Sequence, residues 1–526
     1  MLLSKSVTNA IAPPIPRAQA WAASYPGTSE RPLLNLSQGV PGDPPHRILV
    51  DELVQVVKEG KGVGYGPILG DEALRRVMRR EMGRVYQWEE ADGEDVQETK
   101  LGAGQGAGVG EKEESVGEEG TAVINGNSKK EDDAASGPPT WNEIGITSGC
   151  NQAFFGIMLT LCEKGDRVLI PVPWNGRADG RIASGCFLAE QYFNMLMTFQ
   201  VLGITPVPLP LSPTEGFPPS LAAARQILES QSQSALEQST GRVKAIILVT
   251  PNNPTGCTYP PELIEQFADL AKEYGTCLVI DETYRDFIPP ATSTSSQAVT
   301  APPPGKPHNL FQRPDWRTHV ISVGSFSKSY KIPGHRLGFV VAGEQVMSGL
   351  TTVSDCIQIC APRPPQIALS AVLPQLRDDL AETSARLGAR LLLFKQVVEK
   401  IPGWRVEAQG GFFSYVRHSF KTTSQNEKEG GWIASEQVSK VLAERCGVLT
   451  LPGAFFMPAR DDRLWASLAD AGSVLVHDPM LTIFLWCLAK RFAVANVDDD
   501  VVRRVPERLE QLNEIMVKEY GYELAE

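Results

Sequence analysis

Nothing in the sequence is spaced to hold a metal. Its six histidines and nine cysteines are scattered, no two cysteines form Cys-x-x-Cys, and no Cys/His group has zinc-site intervals. The same odd, irregular cysteine set argues against a disulfide framework and for a reducing compartment, so the expected location is the cytoplasm. Long hydrophobic runs are also missing. The longest, Met480–Ala489, is about half of what a bilayer-spanning helix needs. Met1–Pro13 lacks the apolar core and cleavage site of a secretory leader. No basic patch stands out, so neither a membrane nor a nucleic acid is an expected partner.

What charge there is sits in one place. The chain carries 62 Asp/Glu against 50 Lys/Arg, a net charge of -12. Residues 89–133 alone hold fourteen acidic and four basic residues, or -10, which leaves the rest of the chain almost neutral. Gly alternates through Gly102–Gly110 and acidic, Ser/Gly-rich sequence follows. Residues 91–139 therefore read as a disordered insertion, because so few apolar side chains cannot offset the entropy of ordering. At 526 residues and 42% hydrophobic, what remains is ample for two domains.

The pattern along the chain divides it further. Residues 1–33 read as an N-terminal arm, and 34–90 as part of a small domain leading into a large one. Leu34–Leu36 is a short strand candidate, and Arg47–Glu59 and Asp71–Arg84 have helical periodicity, with Asp71 as an N-cap. Residues 140–365 alternate apolar strands with helices. The strands are Val168–Ile170, Ala245–Val249, Cys277–Ile280, His319–Val323 and Phe339–Val341. The helices are Asn151–Cys162, Pro261–Tyr274 and Val346–Cys356. This alternation predicts an α/β fold with a mostly parallel sheet covered on both faces. The Pro/Ser/Thr-rich stretch 291–317 reads as a surface loop. Residues 366–526 begin with a long helical stretch, continue into short strands such as Phe412–Val416, and read as a smaller α+β domain.

Three motifs fall where strands of this sheet end, which is where open α/β sheets bind ligands. They are Val249-Thr-Pro-Asn-Asn-Pro-Thr-Gly256, Val279-Ile-Asp-Glu-Thr-Tyr284, and Ser325-Phe-Ser-Lys328 followed by Pro333-Gly-His-Arg336. Each alone has another reading: Asn-Pro-Thr-Gly as a turn, the aspartate as a helix cap or metal ligand, and Ser-x-Ser-Lys as a nucleophile motif or nothing. In this order and at these separations the chain resembles the class I/II aminotransferases, which are fold-type I enzymes dependent on pyridoxal 5'-phosphate (PLP). The likeness extends over roughly 32–89, 140–174, 192–465 and 490–520, and Ser-Phe-Ser-Lys with an arginine eight residues on is its most diagnostic part. Tyr-Phe-Asn, Asp-Glu-Thr-Tyr and Ser-Phe-Ser-Lys-Ser-Tyr are similar to fungal-type members.

The resemblance implies a seven-stranded sheet between helices and a set of roles. Lys328 would hold PLP as a Schiff base and shuttle the proton in catalysis. Asp281 would face the pyridine nitrogen and keep it protonated. Tyr284 and Asn253 would hydrogen-bond the cofactor's phenolic oxygen, and Tyr192, beside Trp174, would stack on its ring. Gly149, Cys150 and Asn151, at a helix N-terminus, would bind the phosphate with Ser325 and Arg336. Tyr65 would reach the phosphate of a neighbouring subunit, which implies a homodimer. Arg491 would pair with the substrate carboxylate, and Gly39 would let backbone approach it. Phe412, Phe413 and Tyr415 are candidates for an apolar side-chain pocket and equally for core strand residues. His335 has no assigned role, and the other histidines show no partner pattern.

Two segments depart from the family pattern. Excising 175–191 joins Pro171-Val-Pro-Trp174 to Tyr192-Phe-Asn194, a family-like run, so 175–191 reads as an insertion or an intron read through. Residues 466–489, just before Arg491, are a second such break. The expected activity is a transaminase passing an amino group from an L-amino acid to a 2-oxo acid. A PLP lyase of the same fold, a C–S β-lyase or an aminocyclopropane-carboxylate-synthase-like enzyme, would use the same residues. An inactive paralogue or binding module, disrupted by the insertions, is the reading from another class.

Overall fold

A computed structural model describes residues 3–10, 12–88, 137–172, 193–211, 217–235, 241–288, 306–422, 431–456 and 488–525. Tyr192, Trp174, the segment 175–191, nearly all of 91–139 and most of 466–489 lie outside the described residues.

Seven strands make the main sheet. They are β1 (Ile144–Thr147), β2 (Arg167–Val172), β3 (Thr205–Pro210), β4 (Val243–Val249), β5 (Cys277–Asp281), β6 (Val320–Ser325) and β7 (Gly338–Val341). Their order is β1-β7-β6-β5-β4-β2-β3. Strands β2 to β6 are parallel, and β7 runs antiparallel to both β6 and β1. β4 is buried at every position from Ala245 to Val249, as a strand covered on both faces must be. Helices Glu72–Tyr86, Pro261–Glu273 and Arg363–Val372 share the core on one face. Cys150–Leu161, Phe193–Leu202 and Glu344–Ile357 fill the other. In Glu72–Tyr86 the buried Leu74, Val77, Met78, Met82 and Val85 recur at helical spacing. Each contributes about 1.5–3 kcal/mol by leaving water.

The five expected strands form with ends shifted by a residue or two. β1 and β3 were not expected. β3 carries Pro206, Pro208 and Pro210, residues that argue against a strand interior. It escapes the rule by being an edge. Thr205 gives its N–H to Asp166 at 2.8 Å on the β2 side, so the prolines at alternate positions aim their missing donors away from the sheet.

The C-terminal part has its own core. The helix Arg377–Val398 leads into β8 (Trp404–Gly410) and β9 (Phe413–His418), and β10 (Leu451–Pro452) and β11 (Ala489–Ala493) complete an antiparallel sheet ordered β10-β11-β9-β8. Leu34 and Leu36 join this core, and Leu34–Asn35 pairs in parallel with Val448–Leu449. The early residues therefore belong with the last ones in space.

Two expectations need correction. Within the supposed surface loop 291–317, residues 306–317 are anchored. His308, Leu310, Phe311 and Trp316 are fully buried in the main core, and Phe311 meets Trp316 and Tyr86 edge-on. Aromatic burial holds this stretch where its Pro-rich context suggested solvent. Asp71 does precede the Glu72–Tyr86 helix, but its side chain makes no cap. It accepts from Arg363 Nε at 3.1 Å instead, an ion pair that outcompetes a backbone N–H for the carboxylate.

Candidate active site

The strand ends converge on one cavity of about 320 Å³. Its anion-binding end is built on the Cys150–Leu161 helix, whose N-terminus opens on the cavity through Cys150 and Asn151. Gly149 caps that helix at φ 86° and ψ 162°, a region essentially closed to side chains. A Cβ there would overlap the Arg336 guanidinium and lie 2.9 Å from its Cζ. Arg336 is steered into place by its own left-handed backbone and by donating Nη1–H to the Pro333 carbonyl at 2.9 Å. Ser325, the last residue of β6, caps the next turn by accepting from Ser327 N–H at 3.1 Å. Orphan helix amides, a guanidinium and a hydroxyl thus face one spot, a set suited to a phosphate.

Lys328 follows on the short helix Phe326–Ser329 and donates Nζ–H to the Gly39 carbonyl. Burial pushes its amine down, Arg491 and Arg336 add to this, and Asp281 opposes it, leaving the amine at about 8. Asp281 ends β5 and is the only acidic residue among the described residues that line the cavity. Burial pushes its carboxyl up, against hydrogen bonds from Thr283. Its Oδ1 accepts Thr283 N–H at 2.9 Å and lies 3.8 Å from the Cys150 sulfur. Burial and the Asp281 charge hold Cys150 well above the usual thiol range, so it stays an S–H. Asp281 therefore offers a buried negative charge to whatever cation enters.

The opposite wall comes from the C-terminal part. Arg491 lies in β11 between Tyr415 and Leu451, so its backbone is paired on both sides. Its guanidinium donates to the Ser37 carbonyl and to Asn253 Oδ1, the latter at 2.9 Å, and stacks 4.7 Å above the Phe413 ring. Asn253 is held by a tight turn in which Gly256 N–H reaches the Asn252 carbonyl at 2.7 Å. At Gly39 a Cβ would stand 2.6 Å from the Phe413 ring. Tyr284 lines the cavity and is buried.

Of the expected residues, Gly39, Cys150, Asn151, Asn253, Asp281, Tyr284, Ser325, Lys328, Arg336 and Arg491 line this cavity, and Gly149 backs it. Tyr192 lies outside the described residues. Tyr65 is 81% exposed and away from the lining of its own chain's cavity. Phe412, Phe413 and Tyr415 do not line it. They are buried in the strand cores, and Phe413 acts through Arg491 and Gly39 instead. His335 faces solvent. Ile15, Gln38 and Ser327 line the cavity unexpectedly. Ile15 arrives because the helix Pro14–Ala22 docks through Ala18 and Trp21 against Leu449, Leu451, Phe455 and Phe456. Its Pro-Ile-Pro start gave no sign of that.

The profile of the family Aminotransferase class I and II matches residues 187–472. An aspartate aminotransferase of Sulfurisphaera tokodaii is 27% identical over 321 residues, covering 60% of this chain and 67% of that protein. Aromatic aminotransferase ISS1 of Arabidopsis thaliana is 27% identical over 225 residues, covering 42% of this chain and 46% of that protein. Among solved structures, Bna3p of Saccharomyces cerevisiae superposes with a TM-score of 0.67 at 16% identity, covering 97% of this chain and 99% of that one. The aspartate aminotransferase of Thermotoga maritima gives a TM-score of 0.64 at 17% identity, covering 97% and 99%.

Proposed function

This chain belongs to the aminotransferase class I and II family, and from that premise we propose that it holds PLP on Lys328 and transfers an amino group from an L-amino acid to a 2-oxo acid. The observation that carries the reading is the meeting of Lys328, Asp281, Arg336 and Arg491 in one cavity. In this reading residues 140–365 carry the cofactor and 366–526 supply the substrate wall.

The residues present fit the cofactor. The Gly149 cradle, with no room for a side chain beside Arg336, suits its phosphate. Asp281, a buried carboxylate pushed up by burial, gains from a protonated ring nitrogen opposite it. When bound, PLP supplies the electron sink that lets a substrate α-carbon give up its proton. The protein supplies the rest. With its amine at about 8, Lys328 is roughly one-quarter unprotonated at pH 7.5, against about one part in a thousand for an ordinary lysine. That would make Nζ available as a nucleophile toward the cofactor and as a base for a substrate α-proton. Arg491 presents its fork to the substrate carboxylate, held flat by Phe413 and tied to Asn253. In this reading Tyr284 and Asn253, both on the cavity wall, would hydrogen-bond the cofactor's phenolic oxygen.

A homodimer completes the proposal. Val54, Val57, Val63, Tyr65 and Ile357 are all at least 44% exposed, on the helix Arg47–Lys58, the loop after it and the end of Glu344–Ile357. Gly66 N–H reaches the Cys360 sulfur at 3.4 Å, which brings the loop after Arg47–Lys58 beside the end of Glu344–Ile357. A second copy seated there would bring Tyr65 out of solvent. Among the described residues no helix is long and apolar enough to cross a membrane.

The test is the absorbance of the purified protein with PLP, before and after mixed L-amino acids, beside Lys328→Ala. A visible band that needs Lys328 and is converted by amino acids supports the reading. Its absence in folded protein overturns it. Formation of 2-oxo acid with amine transfer then assigns a transaminase, whereas ammonia or sulfide release assigns a lyase.

A further inference from the structure

Asp281 and Glu282 are consecutive but face opposite ways, as neighbours on a strand must. Asp281 opens on the cavity, and Glu282 points into the packed layer beneath it. Asp281 is held by the Thr283 N–H at 2.9 Å, by the Thr283 side chain and by the Cys150 thiol at 3.8 Å. Glu282 is held firmly. Tyr86 Oη donates to it at 2.6 Å, Ser322 Oγ donates to Oε2, and His308 Nε2 lies 3.2 Å from Oε1. Arg285 stands alongside, its Nη1 3.5 Å from Tyr86 Oη. Glu282, Tyr86, Ser322 and His308 are each 0–1% exposed.

His308 Nδ1 accepts the Leu310 N–H at 3.2 Å, which turns Nε2 toward Glu282, 3.2 Å from Oε1 though off the line of a hydrogen bond. The ring is wedged between Tyr86 and Phe311, with centroids 5.0 and 5.2 Å away. Glu282 thus ties together β5, Ser322 of β6, the end of the Glu72–Tyr86 helix and the 306–312 segment.

We propose that His308 and Glu282, with Tyr86 and Ser322, form the positioning device that fixes Asp281 against the ring nitrogen of the cofactor. The proposal rests on the reading of Asp281 given above. Its logic is mechanical. Among the described residues the ties of Asp281 run to Thr283 and Cys150, so its aim depends on the backbone that carries it, and the backbone at 281–282 is set by the next side chain. Burial alone pushes Glu282 up, but His308, Arg285 and Ser322 bring it down to about 2, so it remains an anion that needs these donors.

The test uses His308→Phe, His308→Gln, Tyr86→Phe and Asp281→Asn in the full chain. Three quantities are read: the PLP dissociation constant by absorbance titration, the pH midpoint of the bound cofactor's absorbance change, and the apoprotein melting temperature. His308→Phe, which keeps the ring and loses the donor, should weaken PLP at least about tenfold and move the midpoint toward that of Asp281→Asn. His308→Gln, which can aim an amide N–H at Glu282, should restore both. A folded His308→Phe with wild-type affinity and midpoint overturns the proposal. So does a loss that glutamine fails to rescue and that tracks melting temperature alone. If His308→Phe does not fold, Tyr86→Phe decides: a smaller shift of both cofactor readouts in the same direction supports the proposal, and unchanged values overturn it. A wild-type protein with no Lys328-dependent band would instead sink the functional reading, and this one with it.

Discussion

Gly149→Ala separates two effects that usually arrive together. Gly149 sits at φ 86° and ψ 162°, where a side chain costs about 1–3 kcal/mol of backbone strain. That cost is present with and without ligand, so it lowers stability and leaves affinity alone. For 526 residues, at about 2.1 cal/mol/K of unfolding entropy per residue, it should reduce Tm by about 1–3 °C. The second effect is local. The new Cβ would lie 2.9 Å from Arg336 Cζ, closer than the two can stay, so the guanidinium must move off the anion site. Losing one charge-assisted hydrogen bond to a phosphate is worth about 1.5–3 kcal/mol, or roughly 10- to 150-fold in PLP affinity. The assay is a PLP titration by absorbance on Gly149→Ala, Arg336→Ala and the double variant, with Tm measured in parallel. Because the affinity loss runs through Arg336, adding Gly149→Ala to Arg336→Ala should cost little more binding while still lowering Tm. Full additivity of the two affinity losses, or wild-type affinity in Gly149→Ala, would refute the cradle.

Other outcomes follow from the same geometry. The rate at which apoprotein takes up PLP should rise with pH and level off above about 8, because the free amine of Lys328 is the reacting form. Arg491→Leu removes a positive neighbour, so its midpoint should move upward in a stopped-flow pH series. Arg491→Lys keeps the charge but loses the fork. It should leave the PLP band intact while kcat/KM falls roughly 10- to 150-fold. Asp281→Asn should still bind PLP through Lys328 yet lose most of kcat, and equal turnover by steady-state assay would count against a ring-nitrogen role. Lys328→Ala and Tyr65→Ala chains, each inactive alone, should regain about a quarter of wild-type activity when refolded together, since each mixed dimer rebuilds one complete site. No recovery in verified mixed dimers would remove Tyr65 from the site.

The sheet was legible wherever burial on both faces forces a continuous apolar run, as in Val243–Val249 and Cys277–Asp281. It was illegible where context overrode composition. Thr205–Pro210 reads as a non-strand until its edge position is known, and Ile144–Thr147 is four residues long with a glycine inside. Most of the site could be read because its residues cluster in three short motifs at strand ends. Ile15 could not, because only the docking of Trp21 on Phe455 brings the N-terminal helix over the cavity. His308 could not either. Its partner Glu282 precedes it by 26 residues, a Pro-rich stretch hides it, and only the fold closes the distance. The aromatics at 412–415 were ambiguous because alternation in a strand does not say which face meets ligand. Phe413 lies under the Arg491 guanidinium instead.

The prolines of β3 have a consequence beyond the fold itself. An open sheet presents its last strand to any passing chain as a template for further pairing, and that is how soluble proteins begin to polymerise. Here the outward positions of that strand are Pro206, Pro208 and Pro210, alternate residues with no N–H to offer. An incoming strand would find acceptors without donors and would meet pyrrolidine rings at every second step. Pro208 is also buried, so the missing donors add to the cover the fold already gives this edge. Replacing Pro206 and Pro208 with valine should leave the sheet's internal pairing untouched and make the protein prone to aggregate.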